Sequence, residues 1–166
     1  MSLYPVLHRV SPALLVMALL GGCRYNKPTE LSFSEPRVVG LYYGFRGQEH
    51  TELPAETAFT VRAACPRIER ARYEPGKGEL GTLRVWGVGL DRVSRLAASR
   101  VGPLGESPPH AEADGSLRFA VGCRECELVM GMKVDGVMVG CRGPGYSLRL
   151  MSGQLVSEWI DEEKSE

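Results

Sequence analysis

The pattern that most constrains this chain is a run of short apolar segments, each cut off by glycine, proline or an acidic turn. Ala58–Cys65, Thr82–Trp86 and Leu117–Val121 alternate apolar with polar residues, and Val38–Tyr43, Leu128–Val134, Val137–Cys141, Tyr146–Met151 and Leu155–Ile160 are short apolar stretches. Alternation with period two buries one face of a strand, whereas a helix needs apolar residues at three- and four-residue spacing. No long stretch carries the helical period, and only Val93–Ala98 reads equally as strand or short helix. Asp135-Gly136 stands between two of the apolar segments, which is the signature of a two-residue type I′ hairpin turn. Eight or nine short strands at regular spacing define an all-β, antiparallel sandwich or barrel. Residues 103–116, with Pro103, Gly105, Pro108, Pro109 and Gly115, read as a polar loop.

The first 22 residues stand apart. His8 and Arg9 make a short polar start, and Val10–Leu20 is an apolar stretch of signal-peptide length, well under the roughly 20 residues of a spanning helix. Pro5 and Pro12 argue against a structural helix. The stretch ends in Leu20-Gly21-Gly22-Cys23, which resembles the lipobox of bacterial lipoproteins. That resemblance implies cleavage before Cys23 and a diacylglycerol on its thiol. The expected partner is then a lipid bilayer, and the expected place the bacterial envelope, on the outer or inner membrane, facing the periplasm or the cell surface. Residues 23–35 read as a lipidated tether, 36–160 as the domain, and 161–166 as an acidic tail.

Four cysteines remain: Cys65, Cys123, Cys126 and Cys141. In an exported protein an even number is read as disulfides, here with three connectivities. The hairpin discriminates among them. With Asp135-Gly136 as the turn, Val134 faces Val137 and Met130 faces Cys141. Cys126 then lies roughly 13 Å along the strand from that partner, at ~3.3 Å per residue, beyond the ~7 Å reach of a disulfide. This count favours Cys65–Cys141 with Cys123–Cys126. A bulged register leaves Cys126–Cys141 with Cys65–Cys123 open.

Cys123-Arg-Glu-Cys126 also has the spacing of a redox or zinc motif. A small exported redox or zinc protein is therefore the reading from another class. Thiol exchange needs the first cysteine at a helix N-terminus, which lowers its pKa, but Leu128-Val129-Met130 reads as strand. Zinc would draw on Cys141 and Cys65 or His110, which an oxidising compartment disfavours. Glu127 stands where a haem-attachment motif needs histidine. No nucleophile elbow, zincin helix, phosphate loop or dinucleotide fingerprint is present in the sequence, and no cofactor is expected.

The opening of the domain resembles immunoglobulin-like modules of the IPT/TIG type. The residues that carry this are Pro66-Arg67-Ile68, Pro75-Gly76, and Gly81-Thr82-Leu83-Arg84-Val85-Trp86-Gly87-Val88-Gly89. Leu90 stands where that family has an aromatic, and four cysteines are unusual for it. The resemblance implies an Ig-like sandwich and an interaction or spacer role, with no catalytic residue.

Charge enters last. Twenty basic residues balance twenty acidic ones, which excludes a general nucleic-acid binder. The balance is uneven along the chain. Arg62–Arg100 holds nine basic against four acidic residues, while Glu158–Glu166 holds five acidic and one basic. Arg70 and Arg72 share one strand face and form a basic stripe suited to anionic lipid, polysaccharide or an acidic envelope protein. Tyr42, Tyr43, Phe45, Phe59, Trp86 and Phe119 are expected in the core, and His50 and His110 at the surface.

Overall fold

The structure is a computed structural model that describes residues 27–43, 54–78, 80–99 and 107–157. The lipobox, Cys23, Phe45, His50 and the acidic tail lie outside them, as do the side chains of Tyr43 and Ser99.

Two antiparallel sheets form a β-sandwich. The first contains β1 (Thr29–Ser32), β3 (Arg67–Glu74), β4 (Gly81–Val88), β7 (Leu117–Val121) and β6 (His110–Ala111), in the order β1-β3-β4-β7-β6. The second is built around β8 (Cys126–Val134), which pairs with β5 (Val93–Ser99), β9 (Val137–Arg142) and β10 (Ser147–Met151). The strands β2 (Gly40–Tyr43) and β11 (Gln154–Val156) extend it beyond β9 and β10.

Side-chain parity explains the core. Along β7, Leu117, Phe119 and Val121 point inward, and Arg118 and Ala120 point out. Along β4, Leu83 and Val85 are fully buried, so Thr82, Arg84 and Trp86 must lie on the outer face. Leu128 and Met130 of β8 and Leu148 and Leu150 of β10 close the core from the other sheet. A smaller apolar cluster, Val61, Met132, Val139 and Cys141, lies at the other end of β8.

The hairpin forms as its sequence requires. Asp135 and Gly136 both take positive φ, 49° and 81°, the left-handed pair of a type I′ turn. Val134 faces Val137, and Met132 faces Val139. The ladder ends at Gly131 and Gly140, and pairing resumes only at Val129 and Ser147. Cys141 and Arg142 therefore part from β8 while still paired with β2, and residues 143–146 turn around Gly143-Pro144-Gly145. β5 occupies Glu127–Met132 along one edge of β8, so β9 and β10 follow one another along the other edge. This turn leaves Cys141 unpaired with Met130, while on the other edge of β9 Cys141 continues the β2 ladder opposite Leu41. It also joins the two sheets, because the Gly145 carbonyl accepts the Ile68 amide at 2.6 Å.

Four expectations need correction. Ala58–Cys65 is not a strand: Ala55–Ala64 is a helix, α1. Four alanines favour helix, and Glu56 and Arg62 complement its two ends. A strand would put Phe59 and Val61 on one face, whereas the helix turns them apart, so Val61 is buried and Phe59 is 76% exposed. Pro66 ends the helix, since the residue before proline is pushed to extended geometry, and Cys65 adopts φ −54°, ψ 126°. The expected tether is part strand, because Thr29–Ser32 pairs with Ser32 opposite Arg70 and Thr29 opposite Tyr73. Leu31 and, just past the strand, Phe33 pack inward, one alternating pair among the prolines and polar residues of the segment. The expected loop at 103–116 contains β6, which pairs His110 with Arg118. Finally, Trp86 and Phe59 are not core residues, whereas Phe119 is.

Candidate functional site

The outer face of the first sheet gathers the chemistry that the sequence scatters. Register aligns Arg72 with Arg84 and Arg84 with Arg118, and places His110 beyond Arg118 and Glu30 beyond Arg72. Three guanidinium groups thus stand on adjacent strands. Like charges directly opposite one another are unfavourable, and each arginine has a carboxylate beside it. Arg72 Nε lies 2.8 Å from Glu74 Oε1, Arg84 Nη2 3.0 Å from Asp114 Oδ2, and Arg118 Nε 2.6 Å from Glu112 Oε1. Arg70, one pairing step away, is 3.6 Å from Glu30.

Trp86 sits among these cations. Arg70, its direct cross-strand partner, stacks over the indole at 3.9 Å from the ring centroid, and Arg84 stands at 5.0 Å. Such cation–π contacts contribute about 0.5–1 kcal/mol when exposed. The indole edge is fixed too: Trp86 Nε1 donates to Asp114 Oδ2 at 3.0 Å.

Asp114 organises the patch. Its Oδ1 accepts from the Ser116 hydroxyl at 2.6 Å and the Ser116 amide at 3.1 Å. Ser116 is itself 1% exposed, and its Oγ accepts Arg84 Nε at 2.8 Å. The Ser116 hydroxyl first, then the Trp86 indole N–H, the Ser116 amide and Arg84, hold the Asp114 carboxyl well below the usual carboxylate range. A depressed folded pKa gives stability that is complete above the unfolded value of about 4 and is lost only as pH falls through the lower folded value. The Trp86 emission, read as the difference between wild type and Trp86→Phe, should therefore hold steady from pH 7 down to about 3. A transition centred near pH 4 would contradict this assignment. Asp114→Asn should shift the emission already at neutral pH.

Such a face has the groups to bind an anion. Guanidinium groups present planar donor forks that fit carboxylate, sulfate or phosphate. Exposed ion pairs contribute only about 0–1 kcal/mol, so an incoming anion can displace the resident carboxylates at small cost. Arg70, with its longer ion pair, is the group most easily redirected.

The cysteines lie elsewhere. Cys65 and Cys141 stand at disulfide distance, with Cα atoms 6.0 Å apart, and so do Cys123 and Cys126, at 6.2 Å. Cys126 faces Leu150, far along the ladder from Cys141. The Cys123–Cys126 pair is buried in the main core, and Cys126 opens a strand rather than a helix. His110 is exposed on β6. Among the described residues no group of three or more His, Cys, Asp or Glu side chains is placed to hold a metal ion, and no helix is long and apolar enough to cross a membrane.

Two polar features were not singled out from sequence. Asp114-Gly115-Ser116 lies at the end of the segment expected as a polar loop, and its partners Arg84 and Trp86 are about thirty residues away. The other is the two-pronged pair of Arg142 and Glu127, at 2.7 and 2.9 Å, on the outer face of the second sheet. The Glu127 side chain is only 13% exposed. Alternation in β4 was the available signal for the first, since it sets Arg84 and Trp86 on one face.

Comparison with protein-family models, with curated proteins and with solved structures finds no match for this chain. Its class rests on its own geometry: an antiparallel, two-sheet β-sandwich with two cysteine pairs at disulfide distance.

Proposed function

We propose that this chain is a lipid-anchored protein of the bacterial envelope whose immunoglobulin-like domain serves as a non-catalytic binding or structural module. The observation that carries the domain reading is the strand order. Lettering β3, β4, β5, β6, β7 and β8 as A to F, with β9 and β10 together as G, gives sheets ABED and CFG. That is the connectivity of a constant-type immunoglobulin domain. β1, β2 and β11 are then additions at the edges. The staples differ from that fold, which bridges strands B and F: here one pair ties the segment before strand A to strand G, and the other sits in the turn before strand F.

The anchor reading rests on Leu20-Gly21-Gly22-Cys23 behind an apolar stretch. Two or more acyl chains on Cys23, at about 0.8 kcal/mol per buried CH₂, would hold the protein stably to a bilayer. The arginine and tryptophan face is the surface offered to a partner, an anionic polysaccharide or an acidic envelope protein. Nucleic acid is not the proposed ligand, given the zero net charge.

Cys23→Ala should abolish palmitate incorporation and release the protein from the membrane fraction. Continued labelling would overturn the anchor. Trp86→Ala with Arg70→Ser should remove the captured partner from an envelope pull-down while leaving the melting profile close to that of wild type. An unchanged capture would exclude this face. Mass spectrometry before and after reduction should count two bridges, and free thiols or bound zinc would favour the redox or metal reading of Cys123-x-x-Cys126.

A further inference from the structure

We infer that one end of the sandwich, the end where β1 begins, rests against the bilayer with Leu80 and Met151 in contact with lipid. This rests on acylation of Cys23. Only residues 24–28 separate Cys23 from Thr29, the first residue of β1. Six Cα-to-Cα steps span at most about 21 Å when fully extended, and roughly 13 Å as a flexible coil. β1 is hydrogen-bonded into the first sheet, so it cannot lengthen this link without unpairing from β3.

Register identifies what else lies at that end. Thr29 faces Tyr73, and Gly81 faces Val121. The end therefore comprises the β3–β4 turn, the β7–β8 turn and the β10–β11 turn. The last two are tied together, because the Gly153 amide donates to the Arg124 carbonyl at 3.0 Å. Two large apolar side chains project here. Leu80 is 63% exposed beside Gly122, and Met151 is 46% exposed. Burying one leucine and one methionine in the apolar boundary is too little to bind a membrane alone but enough to orient a domain already held there. Among the described residues of these turns, Lys77 and Arg124 stand against Glu125 alone, and Lys27 precedes β1 at the same end. Held by the acyl chains and by Leu80 and Met151, the contact should resist salt even where the attraction of these few cations to lipid headgroups is screened. The Asp135-Gly136 hairpin, at the far end of β8, then points away from the bilayer, with the arginine face at the side, open to partners.

The test uses the lipidated full-length mature protein in vesicles of phosphatidylethanolamine and phosphatidylglycerol. A photoreactive benzophenone side chain is placed in turn at positions 80, 151 and 137. Val137 is a fair control, being 44% exposed and a strand length of about 30 Å away at ~3.3 Å per residue. Lipid cross-linking at 80 and 151 should exceed that at 137 by about tenfold, unchanged by salt beyond the ~3 Å screening length of 1 M electrolyte. Inserting a flexible Gly/Ser segment of about ten residues before Thr29 should reduce it several-fold while the protein still floats with the vesicles. The acyl mass on Cys23 is read from the same sample. If that mass is absent, both the anchor and the contact fail. If it is present and cross-linking at 80 and 151 is no greater than at 137, the anchor stands and the contact is overturned.

Discussion

Replacing both Cys65 and Cys141 by alanine is expected to lower the unfolding free energy by about 4–5 kcal/mol, the largest loss available from a covalent change in this domain. The bridge spans 76 residues, so its absence frees a long loop in the unfolded chain. It also releases α1, which contributes one buried side chain, Val61, to the smaller cluster. The corresponding Cys123→Ala and Cys126→Ala pair closes a loop of sequence separation 3 and should cost about 2 kcal/mol. Urea midpoints for the two double variants separate these values by more than experimental error. Equal losses would show that the long bridge is strained or that the unfolded chain keeps its ends together. The control is reduction of the wild-type protein, which should reproduce the sum rather than either term.

The long pair follows from a register count that the structure only partly obeys. The Asp135-Gly136 turn fixes Val134 against Val137 and Met132 against Val139, as the alternation implies. The next step fails. The β8–β9 ladder stops at Gly131 and Gly140, so Cys141 is not paired with Met130, although β9 keeps its pairing with β2 through Arg142. The exclusion of Cys126 survives because β9 reaches β8 only as far as Gly131, whereas Cys126 lies opposite Leu150 of β10. Short-range chemistry of this kind is legible. Long-range placement is not. β1 offers Leu31, with Phe33 just past its end, and pairs with a strand about forty residues on. α1 alternates in composition yet coils, because alanine content and the end charges outweigh a four-residue pattern. The candidate face was half legible. Arg70 and Arg72 share a strand face by parity alone, but Asp114 and Ser116 reach Arg84 across a turn that sequence shows only as a turn.

Phe119→Ala should cost about 3–5 kcal/mol, through lost burial and the cavity that remains. The ring is fully buried at the middle of β7, directly opposite Leu83, with Leu128 and Met130 in the same core. Neighbouring strands fix the backbone on that side, so the cavity cannot close by a local shift. Trp86→Ala and Phe59→Ala provide the comparison. Trp86 lies on the outer face and should lose about 0.5–1 kcal/mol with its cation–π contacts. Phe59, 76% exposed, should change stability by no more than about 0.5 kcal/mol. Three aromatic residues therefore span nearly the whole range of single-residue effects, and size does not rank them. Parity does: the inward positions of β4 and β7 are set by Leu83, Val85, Leu117 and Val121, and the aromatic on each strand takes the face its spacing assigns. Denaturant unfolding of the three variants, with unchanged slopes, would establish that order. If Trp86→Ala destabilised as much as Phe119→Ala, the outer face would be part of the core, and the proposal that it receives a partner would fall with it.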